Sequence, residues 1–145
     1  MAAGALSNDL IAAGKKLLAL MDELGLGPEG AAWIYDHDLG EWRFVIASSL
    51  VDQEGRRWVY QNLLKVFRAG KFPKEFTILD VFLMGLDHPI YRMLVSAIHV
   101  ENSTVTFENL TVNNVKNRWS PPHRTGNKER KANFFQSVRK LAHAD

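Results

Sequence analysis

The stretch from Ala31 to Ser48, AAWIYDHDLGEWRFVIAS, decides the fold. Its two halves, Ala31 to Tyr35 and Glu41 to Ala47, are rich in aromatic and β-branched residues, and DHDLG between them supplies turn-forming residues. In the second half, large apolar residues alternate with their neighbours from Trp42 to Ile46, which is the period of a strand with one strongly buried face. We therefore predict a β-hairpin near the start of the chain.

Helices are predicted before and after this hairpin. The first is indicated by apolar residues at alternating spacings of four and three, and Gly25 ends it. These residues are Leu6, Leu10, Ala13, Leu17, Leu20 and Leu24. A second helix is predicted from about Gln53 to Ala69, with Gly70 at its end. A last helix is predicted from about Lys128 to Ala142, with its aromatic residues turned toward the core.

Two more segments are predicted to join the sheet. EFTILDVFLMG, which ends at Gly85, is a near-continuous apolar run, and its length and β-branched content predict a central strand covered on both faces. The same run leaves a helix open as the alternative.

Asp87 is predicted to cap a third helix, with Pro89 in its first turn. STVTFENLTVNNV changes phase near Glu108 and Asn109, which predicts a bulge or tight turn there.

The order of elements is therefore α-β-β-α-β-α-β-α. We expect one α+β domain spanning residues 1–145, in which helices pack on a small, mainly antiparallel sheet. A basic, Pro-rich loop covers residues 116–127 and leads into the helix at 128–142. With 145 residues, of which 46% are hydrophobic, the chain can build its core without disulfide bonds or structural metals.

Composition excludes several classes of chemistry. The chain has no cysteine, so it forms no disulfide, thiolate zinc site or cysteine nucleophile. The apolar stretch near the N-terminus is interrupted by Asp9, Lys15 and Lys16, and no basic residue precedes that stretch. A signal peptide instead has basic residues first and an unbroken apolar stretch after them. No run of 18 apolar residues offers a membrane span. We expect a cytoplasmic protein without a membrane partner.

No catalytic or cofactor motif emerges from the sequence. GLGPEG at residues 25–30 follows a helix and precedes a strand, the reverse of the order that a phosphate-binding loop needs. The histidines are scattered, and no glycine-flanked serine marks a nucleophile. We predict no cofactor, no metal and no catalytic residue, and consider an enzyme less supported than a binding protein. The weaker alternative is a metal-dependent hydrolase or nuclease using Asp36, Asp38, Asp80 and Asp87.

Asp80 is the single acid that the pattern marks for attention. It interrupts the apolar run from Phe76 to Met84. A buried carboxylate is costly unless it is paired or protonated, so we predict a buried acid with a functional role or a specific partner. The alternative is that the run bends at Asp80, which then caps a short helix.

Positive charge collects at the C-terminal end. Residues 116–145 hold eight Lys and Arg against two acids, whereas residues 1–115 hold ten against fourteen. We predict that the segment 116–131 could bind nucleic acid, with an aromatic side chain available for stacking. The candidate residues are Lys116, Arg118, Trp119, Arg124, Lys128 and Arg130.

The first helix also suggests a partner. Ile11 and Leu18 fall opposite its main apolar stripe, which predicts a contact with another protein or with a second copy of the chain. The leading hypothesis is therefore a small non-enzymatic interaction module, an accessory or regulatory protein that acts through protein–protein contacts. Nucleic-acid binding by residues 116–131 is the alternative.

Overall fold

The computed structural model describes residues 6–97, 104–107, 110–114 and 128–142. The helices are α1 (Asn8–Leu24), α2 (Ser49–Glu54), α3 (Arg56–Arg68), α4 (Pro89–Ala97) and α5 (Lys128–Ala142), and a 3-10 turn spans Ile78–Asp80. The strands are β1 (Gly30–Asp36), β2 (Glu41–Ala47), β3 (Val81–Met84), β4 (Thr104–Phe107) and β5 (Leu110–Asn114). The predicted α+β class is confirmed.

The strands form one mixed sheet in the order β3-β2-β1-β5-β4. Only the β2–β3 pair is parallel among the described strands, and the other three pairs are antiparallel. The predicted hairpin is β1–β2, with Trp33 opposite Phe44. Its turn is fixed by Asp36, whose Oδ1 accepts hydrogen bonds from the backbone N–H groups of Asp38 at 2.9 Å and Leu39 at 3.2 Å. An Asp side chain commonly closes a turn in this way.

Helices cover both faces of the sheet. On the face of Trp33 and Phe44, helices α1, α2, α3 and α5 bury a large core. Its helical members include Leu17, Met21, Leu50, Leu63, Phe134 and Val138. On the opposite face, Tyr91 and Leu94 of α4 pack on Ile34, Val45 and Val112. The sheet is therefore the middle layer of three.

Helix α1 lies very close to the sheet. A Cβ atom added to Gly14 would be 2.8 Å from Trp33 Nε1 and 2.9 Å from Phe44 Cε1, so only glycine permits this approach. The contact turns the helix relative to the predicted stripe. The fully buried set is Ala13, Gly14, Leu17, Met21 and Leu24, whereas Leu10 and Leu20 are only partly buried.

The apolar run from Phe76 to Met84 does not form the single central strand that the sequence predicts. It begins with the 3-10 turn and ends as β3, which lies at one end of the described sheet and not at its centre. Both faces of β3 are nevertheless covered, since Leu83 belongs to the large core and Met84 to the smaller one. Because both of its faces are buried, β3 has the apolar pattern of a central strand although it lies at the edge of the sheet.

The outer edge of β3 is occupied by a side chain. The hydroxyl of Tyr60, on α3, donates to the carbonyl oxygen of Val81 at 2.7 Å and accepts from the backbone N–H of Leu83 at 2.9 Å. An unpaired strand edge is a template for pairing with another chain. Tyr60 thus takes the place of a neighbouring strand along this part of β3.

Three other boundaries test the sequence prediction. The second predicted helix is two helices, α2 and α3, because the chain turns at Gly55 with φ of 89°. Phe107 pairs with Leu110 in the β4–β5 ladder, and Glu108 and Asn109, where a bulge or tight turn is predicted, lie outside the described residues. The predicted cap Asp87 is wrong by one residue, because Ile90 N–H donates to Nδ1 of His88 at 3.1 Å.

Candidate nucleic-acid interface

The structure separates the predicted nucleic-acid residues into three groups. Lys116, Arg118, Trp119 and Arg124 lie outside the described residues. Lys128 is the first residue of α5, whose bounds agree with the predicted helix. Arg130 is well placed in the structure, but it does not face solvent as a phosphate-binding residue would.

Arg130 is an internal ion-pair partner. Its Nη2 donates to the carbonyl oxygens of Leu26 at 2.5 Å and Gly27 at 2.6 Å, and to Oε1 of Glu29 at 3.1 Å. Its Nη1 donates to the hydroxyl of Ser49. The Arg130 side chain is 22% exposed and the Glu29 side chain 5%. The guanidinium is therefore engaged inside the protein, which does not support the predicted contact of Arg130 with nucleic acid.

This ion pair joins α5 to the beginning of α2. Oε2 of Glu29 accepts from the backbone N–H of Ser49 at 2.9 Å, and the hydroxyl of Ser48 accepts from Leu50 N–H at 3.2 Å. Both are helix N-terminal groups, which lack partners within the helix itself. We call Glu29, Ser48, Ser49 and Arg130 the Arg130 anchor. It fixes the position of α5 against the α2–α3 pair.

Gly27 makes room for the anchor. Its φ of 59° lies in the left-handed region, and a Cβ atom there would collide with Nη2 of Arg130. Glycine is therefore required at this position for two reasons. The GLGPEG segment, which resembles a phosphate-binding loop only in composition, serves to receive a guanidinium.

The carboxyl ends of β2 and β3, where open sheets often bind ligands, are filled by the chain's own side chains. Oδ2 of Asp52 accepts from the backbone N–H of Leu86 at 2.7 Å. Burial, together with the charges of Glu29 and Asp52, raises the pKa of Tyr91 to about 12. Tyr91 also packs in the smaller core on this side of the sheet.

Helices α3 and α5 concentrate the positive charge. Together they contain nine of the chain's 18 Lys and Arg residues and only one of its 16 Asp and Glu residues. Nine basic residues face fifteen acids in the rest of the chain, which is thus acidic overall. The two helices pack side by side, and four of these cations, Lys65, Arg68, Lys131 and Arg139, line recesses on the same side of the pair.

Aromatic rings alternate with these cations. Nζ of Lys131 lies 5.5 Å from the ring centre of Trp58. Phe135 has Nζ of Lys65 at 5.6 Å from its ring centre and the guanidinium carbon of Arg139 at 5.8 Å. These distances are within the range of cation–π contacts. Trp58, Lys65, Arg68, Lys131, Phe135 and Arg139 are called the basic–aromatic face below.

Two adjoining recesses shape this face. The larger, of about 470 Å³, is lined by Lys65, Arg68, Ala69, Phe135, Arg139 and Ala142. The smaller, of about 280 Å³, is lined by Trp58, Lys131, Ala132 and Phe135. Phe135 borders both recesses and is itself half-buried. A ligand crossing from one recess to the other must therefore pass over this ring.

The cations of the basic–aromatic face differ in whether they already form an ion pair with a carboxylate of the protein. Nζ of Lys131 lies 2.9 Å from Oε1 of Glu54, and this hydrogen bond lowers the pKa of Glu54. For Lys65, Arg68 and Arg139, no carboxylate within the described residues comes close enough to form an ion pair. These three cations are therefore available to an anionic ligand.

Asp80 lies at the end of the 3-10 turn and is not buried. It is half-exposed, and its Oδ2 accepts from the backbone N–H of Thr77 at 2.9 Å and from the Thr77 hydroxyl at 3.1 Å. The two residues form a capping box around the 3-10 turn. The prediction that Asp80 is buried is wrong, and the alternative that it caps a short helix is confirmed.

Replacing Asp80 by alanine is expected to lower the free energy of unfolding by about 1 kcal/mol, the usual effect of losing a cap. Asp80→Asn, which keeps one acceptor oxygen, should lose less. Urea denaturation monitored by circular dichroism measures both. A loss above about 3 kcal/mol in Asp80→Ala would contradict a role limited to capping.

Ile11 and Leu18, the predicted interface residues of α1, are both partly exposed. Leu18 is partly buried and packs against the large core, and Ile11 is half-exposed. The rotation of α1 around the Gly14 contact brings Leu18 toward the protein. The candidate interface on this helix is therefore smaller than the sequence pattern indicated.

The acids of the predicted metal-dependent alternative serve other purposes. Asp36 closes the hairpin turn, and Asp87 lies 3.6 Å from Arg92 in an exposed ion pair. Within residues 6–97, 104–107, 110–114 and 128–142, no three His, Cys, Asp or Glu side chains are grouped to hold a metal ion. No helix in the described part of the chain has the length and apolar character needed to cross a membrane.

The contribution of α3 was missed at the level of sequence. RRWVYQNLLKVFR contains four cations and no acid, which is the signal that could have indicated a basic helix. Its proximity to α5 depends on the tertiary fold, since the two helices are some sixty residues apart in the chain.

Comparison with protein-family models, curated proteins and solved structures gave no match for this chain.

Proposed function

We propose that this chain is a non-enzymatic binding module whose ligand is a nucleic acid, held on the basic–aromatic face. The observation that carries the proposal is the row of rings and cations between α3 and α5. The phosphate backbone of a nucleic acid binds where Lys and Arg side chains replace its counterions. An acidic protein would also be attracted to positive charge, but the interleaved rings add a surface that suits nucleobases.

Reversing the three available cations is the direct test. In Lys65→Glu/Arg68→Glu/Arg139→Glu, binding of a fluorescein-labelled oligonucleotide should fall by more than about tenfold at low salt. For the unmodified protein, three phosphate contacts give a log–log salt slope of about −2.1 to −2.7, which is roughly 20- to 40-fold between 50 and 200 mM salt. Fluorescence anisotropy at several salt concentrations measures both quantities.

A matched control separates site from net charge. Lys15, Lys16 and Lys74 are exposed, and none lines either recess of the basic–aromatic face. Their reversal to glutamate changes the net charge by the same amount and should leave the salt slope near that of the unmodified protein. Equal loss in both triple variants, or no binding by the unmodified protein at 50 mM salt, would refute the proposed site.

Contact with a protein partner is the second candidate, and a separate groove favours it. The other side of α3 borders a recess of about 520 Å³ lined by Arg56, Arg57, Tyr60, Gln61, Leu64 and Ile78. Beside it, Leu79 is 86% exposed on the capped 3-10 turn. Leu79, together with Leu64 and Ile78 of the recess, gives this groove apolar surface that a partner could bury. Light scattering of the protein and of Leu79→Ser would show whether copies associate through this groove.

We further propose that the protein acts in the cytoplasm. The support is the cysteine-free composition, which fits a reducing compartment. Both candidate functions are compatible with that location. Fractionation of cells with an antibody against the protein tests it, and recovery in a secreted fraction would contradict it.

A further inference from the structure

We infer that the ligand of the basic–aromatic face is a single strand, one base of which stacks on Phe135. This inference rests on the proposed function and goes beyond it by assigning the kind of nucleic acid and the residue that recognises it. A duplex keeps its base faces inside the stack, whereas a single strand can turn a base outward onto a protein ring.

Phe135 has the position that stacking requires. It lies between the two recesses, with one cation from α3 and one from its own helix near its ring. Its neighbour Phe134 is completely buried and its ring centre is 5.7 Å from that of Trp58. Phe134 thus anchors this part of α5 in the core, while Phe135 remains half-buried at the surface.

The cations that now lie near the ring can exchange roles when a strand binds. In the free protein, Lys65 and Arg139 contact the ring of Phe135. Exposed cation–π contacts of this kind are weak and flexible. A base can therefore displace a cation from the ring, and the displaced cation can neutralise the phosphate attached to that same nucleotide. A single nucleotide then satisfies both the ring and the charge.

The dimensions of the face indicate a short site. Lys131 and Arg139 are eight positions apart on α5, which is about 12 Å along the helix axis at 1.5 Å per residue. A stacked strand advances about 3.4 Å per nucleotide, so roughly three to four nucleotides fit between them. The expected ligand is a short, sequence-tolerant stretch of single strand.

The test compares a single strand with a duplex of equal length. The probes are a fluorescein-labelled single strand of mixed sequence, long enough for its duplex to stay paired at the temperature and salt used, and that duplex, both measured by anisotropy against the full chain. The single strand should bind more tightly. Phe135→Leu should weaken single-strand binding by about 5- to 150-fold, the range for loss of one stacked base. Duplex binding and the salt slope should change little, since the phosphate contacts remain.

Phe135→Tyr is the matched control, because it keeps an aromatic face and should retain most of the single-strand affinity. Thermal denaturation of each variant verifies that α5 stays folded. If the protein binds both probes equally and Phe135→Leu has no selective effect, the stacking inference is overturned while the proposed function stands. If neither probe binds, the proposed function itself fails. Loss of affinity in Phe135→Tyr equal to that in Phe135→Leu would also overturn the inference.

Discussion

Arg130→Met is expected to lower the free energy of unfolding by about 3–5 kcal/mol, because it leaves the buried carboxylate of Glu29 without its charged partner. Methionine can fill much of the space of the arginine side chain, so the loss reports the charge more than a cavity. The carbonyl oxygens of Leu26 and Gly27 lose a donor in the same substitution. Few single replacements in this protein should destabilise it more.

Urea denaturation at neutral pH measures this effect, and two further variants define its origin. Arg130→Met/Glu29→Gln removes both charges and should recover part of the lost stability, since no isolated charge then stays buried. Arg139→Met, at an exposed position of the same helix, should change stability by less than about 0.5 kcal/mol. If Arg130→Met has as little effect as Arg139→Met, the anchor does not hold α5 in place.

Tyr60→Phe is expected to lower the free energy of unfolding by about 2–3 kcal/mol. The substitution removes one hydroxyl, which leaves a backbone carbonyl at Val81 and a backbone N–H at Leu83 without their partner. A buried polar group that loses its hydrogen bond lowers the free energy of unfolding by about 1–3 kcal/mol, and these two groups are only partly buried. The opened edge of β3 should also make the variant associate, since an unpaired strand edge attracts another.

Chemical denaturation gives the stability of Tyr60→Phe, and light scattering at increasing concentration gives its association. Tyr35→Phe is the control, because the Tyr35 hydroxyl forms no hydrogen bond within the described residues. It should match the unmodified protein in both measurements. A Tyr60→Phe variant with unchanged stability and mass would show that water replaces the hydroxyl at this edge without loss.

The elements that depend on neighbouring residues were predictable from the sequence. The β1–β2 hairpin follows from two alternating segments around an Asp- and Gly-containing turn, and the structure pairs Trp33 with Phe44 as such a hairpin requires. The bounds of α5 also agree, because its apolar residues Phe134 and Val138 are spaced for one buried face. In these segments local preference and tertiary packing favour the same structure.

Features set by distant partners were not predictable in the same way. The position of β3 at the edge of the sheet depends on its pairing with β2 and on the cover that α4 provides, neither of which appears in its own residues. The helix cap at His88 needed an imidazole nitrogen to act as acceptor, where Asp87 was the more usual residue. A one-residue shift of this kind cannot be read from residue preference alone.

The candidate site shows the same division. The excess of positive charge near the C-terminus was visible in composition, but the use of Arg130 was not, because its partner Glu29 is 101 positions away in the chain. The joint face of α3 and α5 likewise requires both helices to be docked. Sequence gives the charge of each helix, and only the fold shows which cations face the same recess.

The long separation within the Arg130 anchor has a consequence for synthesis of the chain on the ribosome. Glu29 is made early. Strand β5, the second neighbour of β1, follows about eighty residues later, and the guanidinium that neutralises Glu29 follows about a hundred residues later. At 5–20 residues per second, that interval lasts roughly 5–20 s. During it the nascent hairpin has an open edge at β1 and an acid without its partner. The native arrangement can close only when the last helix has left the exit tunnel, so truncated products that lack α5 should be substrates for chaperones and proteases.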